Sequence, residues 1–436
     1  MRKLIIRNGR VIDPATRLDA IRDVLIENGK IAGIGEKLHV TGAEKFDATG
    51  LIVAPGFIDM HVHLREPGFE YAETIESGSK AAAAGGFTSI CCMPNTSPVN
   101  DNATVTSYII ERAERHAIVN VFPIGAITKS SAGEELASIG SMVQAGIVAI
   151  SDDGRPVMNA RVMRRAMETA RSFGIPVIDH CEDLHLSAGG DMHEGVESVR
   201  LGLRGIPAAS EDVMVARDIL LAQLTGARFH VAHISSRHSV EMVAFAKSRG
   251  FSVSSEATPH HFALSDGKMP PYDSNYKMKP PLRSDCDVGS VTNGIISGAI
   301  DAIATDHAPH PGSEKMQEFE KCPFGVIGLE TAIGLALEKL VHPGKISLAR
   351  MVELFTTGPA RVLNLNRGNL ASGAPGDITI LDTERAWTYD VNKSASKSRN
   401  SPFDGHIFRG GPVATIVNGR IVWTAERQDA DAVTAN

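Results

Sequence analysis

Aromatic residues are scarce in this chain, at 5% of 436 residues, and so are cysteines, of which there are five. Cys91, Cys92, Cys181, Cys286 and Cys322 are odd in number and contain no CxxC pair. That usage speaks against a disulfide framework and against a structural zinc knuckle. No run approaches the roughly 18 apolar residues that a membrane span needs. The opening stretch MRKLIIRNGRVIDPATR reaches polar residues too soon for a secretory signal. The expected compartment is therefore the cytoplasm. Basic charge is not in excess either: 44 Lys and Arg against 51 Asp and Glu leave a formal charge of −7. Nucleic acid as the main partner is disfavoured, since phosphate binding shows as a basic excess, while a local basic pocket for a small anion stays open. What is present, 43% hydrophobic and 22% charged residues, is the composition of an ordinary globular protein with room for one large core and a small accessory domain.

The two ends of the chain read alike. Lys3–Arg7 and Val24–Gly35 are apolar runs with Asn-Gly pairs at Asn8-Gly9 and Asn28-Gly29, each a hairpin signal. Asp377–Leu381 and Ala414–Trp423 repeat the pattern, with Asn418-Gly419. Two β-rich ends predict one small β-sandwich domain built from residues 1–54 plus 366–436. The middle, residues 55–365, alternates short apolar strands with helical stretches. Strands are expected at Gly56–His61, Thr88–Met93, Asn120–Ile127, Gly146–Asp152, Pro176–His180, Arg228–Ile234, Phe251–Thr258 and Ala299–Thr305. Helical patterns at Glu73–Ala84, Glu134–Ala145, Ala160–Phe173, Ser210–Leu224 and Ser239–Ser248 separate most of them. The fold class is α/β, and this alternation predicts a (β/α)8 barrel; strand counting alone allows a doubly wound open sheet as well.

The residues that end these strands decide the matter. Asp59-Met60-His61-Val62-His63 closes the first strand, and side chains two apart on a strand point the same way. His61 and His63 can thus grip one cation. Asp152-Asp153 ends the fourth strand, His180 the fifth, His233 the sixth and Asp306 the eighth, each after an apolar run that should be buried. Buried strands have no need to end in His or Asp. In a barrel these ends converge on one rim, where active sites of that fold lie. Any one of these histidines alone reads as structural; together with two carboxylates they suit zinc, and they exceed what one tetrahedral ion requires. Two ions bridged by a carboxylate follow, a hydrolytic device. Asp306, in Thr305-Asp306-His307-Ala308-Pro309-His310, is the candidate proton carrier, with a purely ligating role as the alternative.

Arg65 stands two residues after His63, and Arg is suited to holding a carboxylate through two parallel hydrogen bonds. Asn95, in Met93-Pro94-Asn95, places an amide on the same rim. Together they imply a substrate with a carboxylate and amide groups; a surface ion pair and a turn cap are the bland alternatives.

The segments DMHVHLREPG, MPNTSP, SDDG, DHCED, HVAHIS, KPPLR, TDHAPH, PFGVIGLE and SPFDG occur in this order along nearly the whole chain. In them the sequence resembles the larger class of bacterial dihydroorotases, within the amidohydrolases. The resemblance implies reversible cyclisation of N-carbamoyl-L-aspartate to (S)-dihydroorotate with two Zn2+ per subunit. It implies that His61, His63 and Asp306 serve one metal and His180 and His233 the other, with Asp153 bridging. Spacing leaves Asp152 and Asp153 equal; the resemblance points to Asp153. It further implies that Arg65, Asn95, His310 and main chain around Phe324-Gly325 contact substrate, and that Asp306 is the acid/base.

Hydantoinases, dihydropyrimidinases and allantoinases are similar in fold and HxH but generally use a carboxylated lysine as the bridge; GIVAISDDG has none. One position departs from the family: Lys279 stands where Asn usually helps hold the ring. It is expected to pair with the substrate carboxylate or to swing out to solvent, and a changed substrate is the further alternative. A hydantoinase-like enzyme and an inactive scaffold for aspartate transcarbamoylase are the rival functions; all six ligands are retained, against the scaffold. A homodimer is the base-rate expectation, with a transcarbamoylase complex as the alternative. The polar, Pro-containing segment Ser265–Arg283 is expected to close over substrate.

Overall fold

Short aliphatic and β-branched runs, most of them followed by a helix, build a closed parallel barrel in the middle of the chain. The computed structural model describes residues 2–425. Its barrel strands are Phe57–Val62, Phe87–Cys92, Asn120–Pro123, a short segment at Ile150, Val177–Asp179, Phe229–Val231, Val253–Ala257 and Ala302–Ile303. Neighbours pair in parallel in that order, through single bridges at Gly125–Ile150 and Ile150–Val177. Val62 then pairs with His307, and the His63 N–H donates to the His307 carbonyl at 2.9 Å, which closes the ring. A ring of strands leaves no free sheet edge, so the open-sheet alternative falls away.

Side-chain caps set where the helices begin. The side chains of Asn102, Asn159, Ser236 and Ser284 accept first-turn N–H groups of Ala103–His116, Ala160–Phe173, Arg237–Ser248 and Asp285–Ser297. The helix expected from Glu134 begins only at Ile139. Before it, Thr128 pairs with Leu136, and the Lys129 N–H donates to the Glu135 carbonyl at 2.8 Å, so this backbone is committed to a small hairpin.

Strands from both chain ends, Lys3–Asp13, Leu18–Glu27, Lys30–Gly35, Glu44–Asp47, Ile52–Pro55, Ile378–Thr388, Ile407–Val417 and Arg420–Thr424, join in a single eight-stranded sheet. The seam is the antiparallel pairing of Ile52–Pro55 with Ile378–Leu381. The sheet curls until its edge strand Lys30–Gly35 meets the segment leading into Ile378–Thr388, Lys30 pairing with Pro375 and the Gly376 N–H donating to the Gly29 carbonyl at 2.7 Å. Leu4, Ile6, Val24, Ile26, Ile378, Ile380 and Ile416 fill the inside of the curl. Asn28-Gly29 and Asn418-Gly419 make tight hairpin turns with φ of 51°/78° and 48°/70°. Asn8-Gly9 does not turn the chain. It is a bulge inside Lys3–Asp13, where the register shifts between Ile6 and Gly9. A Cβ on Gly9 would lie 2.4 Å from Val53 Cγ2, so the glycine serves close strand packing. Residues 426–436, expected in this domain, lie outside the described residues.

Thr379 ties the sheet to the start of the first barrel strand, its Oγ1 accepting the Phe57 N–H at 3.0 Å and donating to the Gly86 carbonyl at 2.7 Å. The opposite rim is left to the long loops. Among the described residues no helix is long and apolar enough to cross a membrane.

Candidate active site

Each of the six polar strand ends singled out in the sequence arrives at one point. His61 and His63 leave the first strand, Asp153 follows the fourth, His180 the fifth, His233 the sixth and Asp306 the eighth; none is more than 7% exposed. His61 Nε2 lies 3.4 Å from Asp153 Oδ1 and 3.5 Å from Asp306 Oδ1. His63 Nε2 is 3.0 Å from Asp306 Oδ1 and 3.5 Å from Asp153 Oδ2. On the other side, His180 Nδ1 and His233 Nε2 face each other at 2.8 Å and lie 3.9 and 3.7 Å from Asp153 Oδ1. Asp153 therefore sits between two groups of donors, His61 with His63 and His180 with His233.

Asp152 is excluded from this centre by the loop that follows the third strand. The N–H groups of Ile127 and Thr128 donate to its Oδ1 at 2.8 and 3.1 Å, and the Thr128 hydroxyl donates to Oδ2. That capture turns Asp152 away and leaves Asp153 to the cluster.

The donor set suits a divalent cation. His61 Nε2 and Asp153 Oδ1 are buried, point at each other and make no hydrogen bond among the described residues, a costly state for polar atoms unless something else satisfies them. Nitrogen and carboxylate donors without thiolate are the chemistry zinc accepts. Electrostatics agree. Burial acts to lower the His61 imidazole, yet the carboxylates of Asp153, Glu256 and Asp306 raise it well above its usual range. Burial acts to raise Asp306, and the imidazoles of His61 and His63 hold it far below the usual carboxylate range. A pocket with this negative potential attracts a cation.

Backbone strain gathers here. Arg65, His233 and Asp306 have φ of 59°, 31° and 47°, a region costing non-glycine residues on the order of 1–3 kcal/mol each. The barrel seam stabilises the last of them: Asp59 accepts from the Thr305 hydroxyl at 2.6 Å and from the His61 N–H at 3.1 Å.

Around the centre lie the residues read as substrate contacts. Asn95 faces His63 Nδ1 with its Oδ1 at 2.9 Å and Asp153 with its Nδ2 at 3.5 Å. Arg65 donates through Nε to the Pro309 carbonyl at 3.2 Å and through Nη2 to His310 Nε2, also at 3.2 Å. Burial, and then the Arg65 charge, push the His310 imidazole down to about 3, so it stays neutral and accepts from the guanidinium. Gly325 lies under this pair with φ 136°, where a Cβ would come 2.9 Å from the Ala308 carbonyl oxygen. Its own polar groups are engaged: the N–H donates to the Lys277 carbonyl at 2.9 Å, and the carbonyl accepts from Asn400 at 3.0 Å and Lys315 at 3.1 Å. Phe324 offers its ring to the ammonium groups of Lys277 and Lys279, 4.6 and 5.1 Å from the centroid. Lys279 reaches the rim, and its Nζ sits 2.8 Å from Glu182 Oε1. Ser265–Arg283 is pinned in place, with the Lys277 ammonium on the Phe319 carbonyl at 2.6 Å and Arg283 Nε on Ser235 Oγ at 3.1 Å.

Two carboxylates that sequence reasoning missed hold the far side of the histidine rings. Glu256 is fully buried with Oε1 2.7 Å from His61 Nδ1 and Oε2 3.3 Å from His230. Burial works against its charge, but the two imidazoles bring it down to about 2. Glu182 Oε2 lies 2.9 Å from His180 Nε2. Glu256 sits in the seventh strand, VSSEA, where a carboxylate inside a buried run was the available signal. Glu182 is two residues past His180, in DHCED.

Comparison with known proteins agrees with this geometry. Residues 50–239 match the family model described as Dihydro-orotase-like, and residues 328–423 match the one described as Amidohydrolase family. The dihydroorotase of Solibacter usitatus is 71% identical over 97% of this chain and 98% of its own length. That of Pelotomaculum thermopropionicum is 54% identical over 96% and 98%. Among solved structures, the L-hydantoinase (dihydropyrimidinase) from Arthrobacter aurescens superposes with a TM-score of 0.87 at 26% identity, covering 97% of this chain and 96% of that one. The dihydropyrimidinase from Brevibacillus agri gives 0.85, also at 26% identity, over 97% and 95%. With the amidohydrolase barrel and this identity along almost its entire length, the chain belongs to the dihydroorotase family.

Proposed function

We propose that this cyclic amidohydrolase interconverts N-carbamoyl-L-aspartate and (S)-dihydroorotate, the third step of pyrimidine synthesis, with residues 55–365 as its catalytic domain. The observation that carries the reading is the pair of donor groups sharing Asp153, set beside the Arg65 guanidinium on one rim. His61, His63 and Asp306 would hold one zinc ion, His180 and His233 a second, with Asp153 between them. Zinc bound there would lower the pKa of the attacking water and polarise the ring carbonyl.

The chain's own groups account for the rest. Arg65 uses only part of its donor fork on Pro309 and His310, and its remaining N–H groups hold the substrate carboxylate. Asn95 turns its amide nitrogen toward the centre because His63 Nδ1 engages its oxygen, which leaves an N–H for a ring carbonyl. Asp306, kept ionised by the imidazoles around it, takes a proton from the attacking water and delivers it to the departing ring nitrogen. Cyclisation runs the same transfers in reverse.

The solved structures of similar fold carry hydantoinase names, so a hydantoin ring is the second reading. The segment GIVAISDDG, with Asp153 and no lysine, favours the first reading, since resemblance to a hydantoinase would imply a bridging lysine there. Turnover of dihydroorotate, hydantoin and allantoin by the zinc-loaded chain at equal concentrations decides between them. Preference for dihydroorotate is expected. Preference for hydantoin would overturn the assignment, and silence on all three with no zinc bound would point to a scaffold.

A further inference from the structure

We propose that Glu182 and Lys279 form a positioning pair for His180, and that Lys279 acts through this pair and not as a substrate contact. The inference rests on reading the six-residue cluster as the metal centre. A neutral imidazole carries one N–H and one lone pair, and the partner of one nitrogen decides which side carries which. Glu182 Oε2, 2.9 Å from His180 Nε2, keeps the N–H on that nitrogen and leaves the Nδ1 lone pair facing His233 and Asp153.

Glu182 is only 5% exposed, and a buried carboxylate needs a partner charge. A His180 ring that ligates a metal through its lone pair is neutral and does not supply one. Lys279 does, with Nζ 2.8 Å from Oε1, the oxygen that makes no other hydrogen bond among the described residues. The ammonium is held from a second side by the Phe324 ring at 5.1 Å. Lys279 thereby joins three loops: the one after the fifth strand, its own segment, and the one after the eighth. Withdrawing this ammonium to bind a substrate carboxylate would strand Glu182 without its counter-charge. Arg65, with donors to spare, carries that carboxylate instead. The departure from the family's usual Asn at this position is then a change in how a ligand is held, with the same substrate.

The test compares Lys279→Met, Glu182→Gln, the double variant and Lys279→Arg with the parent chain. Zinc retention is measured by competition with a chelator, the visible spectrum is read after cobalt substitution, and KM and kcat are read separately for dihydroorotate. Each of the first two variants is expected to weaken zinc retention about 10–100-fold, the range for lost partners of ligating histidines, with an altered cobalt spectrum. The double variant should be no worse than the poorer single, and Lys279→Arg should retain more zinc than Lys279→Met. Should Glu182→Gln fail to fold, Lys279→Met stands alone, since 28% of that side chain is exposed and it fills no core. Parental zinc retention and cobalt spectrum in Lys279→Met, with KM raised tenfold or more, would overturn the proposal and make Lys279 a substrate contact. A parent chain that binds no zinc at all would remove the metal-centre reading itself, a separate failure.

Discussion

Inside the curled sheet, buried strand residues are aliphatic: Leu4, Ile6, Val24, Ile26, Ile378, Ile380 and Ile416. Inside the mouth of the barrel, strand ends buried to the same degree are His61, Asp153, His233, Glu256 and Asp306. Equal burial has opposite energetic meaning in the two places. Removing aliphatic surface from water stabilises the fold by roughly 25 cal/mol per Å2. Removing ionisable groups from water costs free energy unless each finds a partner, and left-handed backbone at His233 and Asp306 adds strain. The sheet is therefore built for stability, and the barrel mouth gives up stability for a negative pocket that a metal can fill.

Removing metal should break the comparison most sharply. Stripping zinc with a chelator is expected to abolish dihydroorotate turnover and lower the melting temperature while the far-ultraviolet circular dichroism is kept, and added zinc should restore both. A stripped chain with full activity would end the metal reading. Next in size is Asp306→Asn, chosen because Asn tolerates the φ of 47° at this position. Loss of the proposed proton carrier should lower kcat by about 10²–10⁴-fold, read under saturating dihydroorotate with zinc content measured alongside. Glu256→Gln comes third. It leaves the shape but weakens the hold on His61 Nδ1, and titration with zinc should show affinity down about 10–100-fold.

Sheet variants should touch only the other side of the comparison. Ile380→Ala removes a fully buried side chain from the sheet core and should cost about 2–5 kcal/mol in urea unfolding, with kcat per folded molecule unchanged. A fall in kcat as large as that of Glu256→Gln would show that the two regions are not energetically separate.

How much of this was legible depends on what kind of signal each residue sends. His61 and His63 announce themselves, because alternation on a strand is a local rule and the barrel brings every strand end to one rim. Asp153 could not be separated from Asp152 by spacing; the N–H groups of Ile127 and Thr128, in the loop after the third strand, make the choice. Asn8-Gly9 reads as a turn because a bulge and a turn both use left-handed backbone, and only the pairing with Leu18–Glu27 tells them apart. Glu256 is preceded by Ser254 and Ser255, which make its strand look half-solvated when it is buried. The Lys279–Glu182 pair joins loops far apart in the chain, and no local pattern reports such a contact.

The smallest expected effect lies at the edge of the barrel mouth, in a buried cation that binds no ligand. The Lys315 ammonium donates to the carbonyls of Lys277, Pro323 and Gly325 and so holds the loop beneath His310. Burial pushes it down to about 8, while an unfolded lysine titrates near 10.4. Between those values the unfolded chain binds more protons than the folded one, so stability should rise with pH through that window. Below pH 8 both forms carry the charge, and the cost of burying it is fully present. Urea midpoints taken from pH 7.5 to 10 should therefore climb more steeply in the parent than in Lys315→Met, whose side chain carries no charge to lose. Parallel curves for the two would mean that the three carbonyls already compensate the buried ammonium, and that this loop, like the sheet, is stabilised without regard to charge.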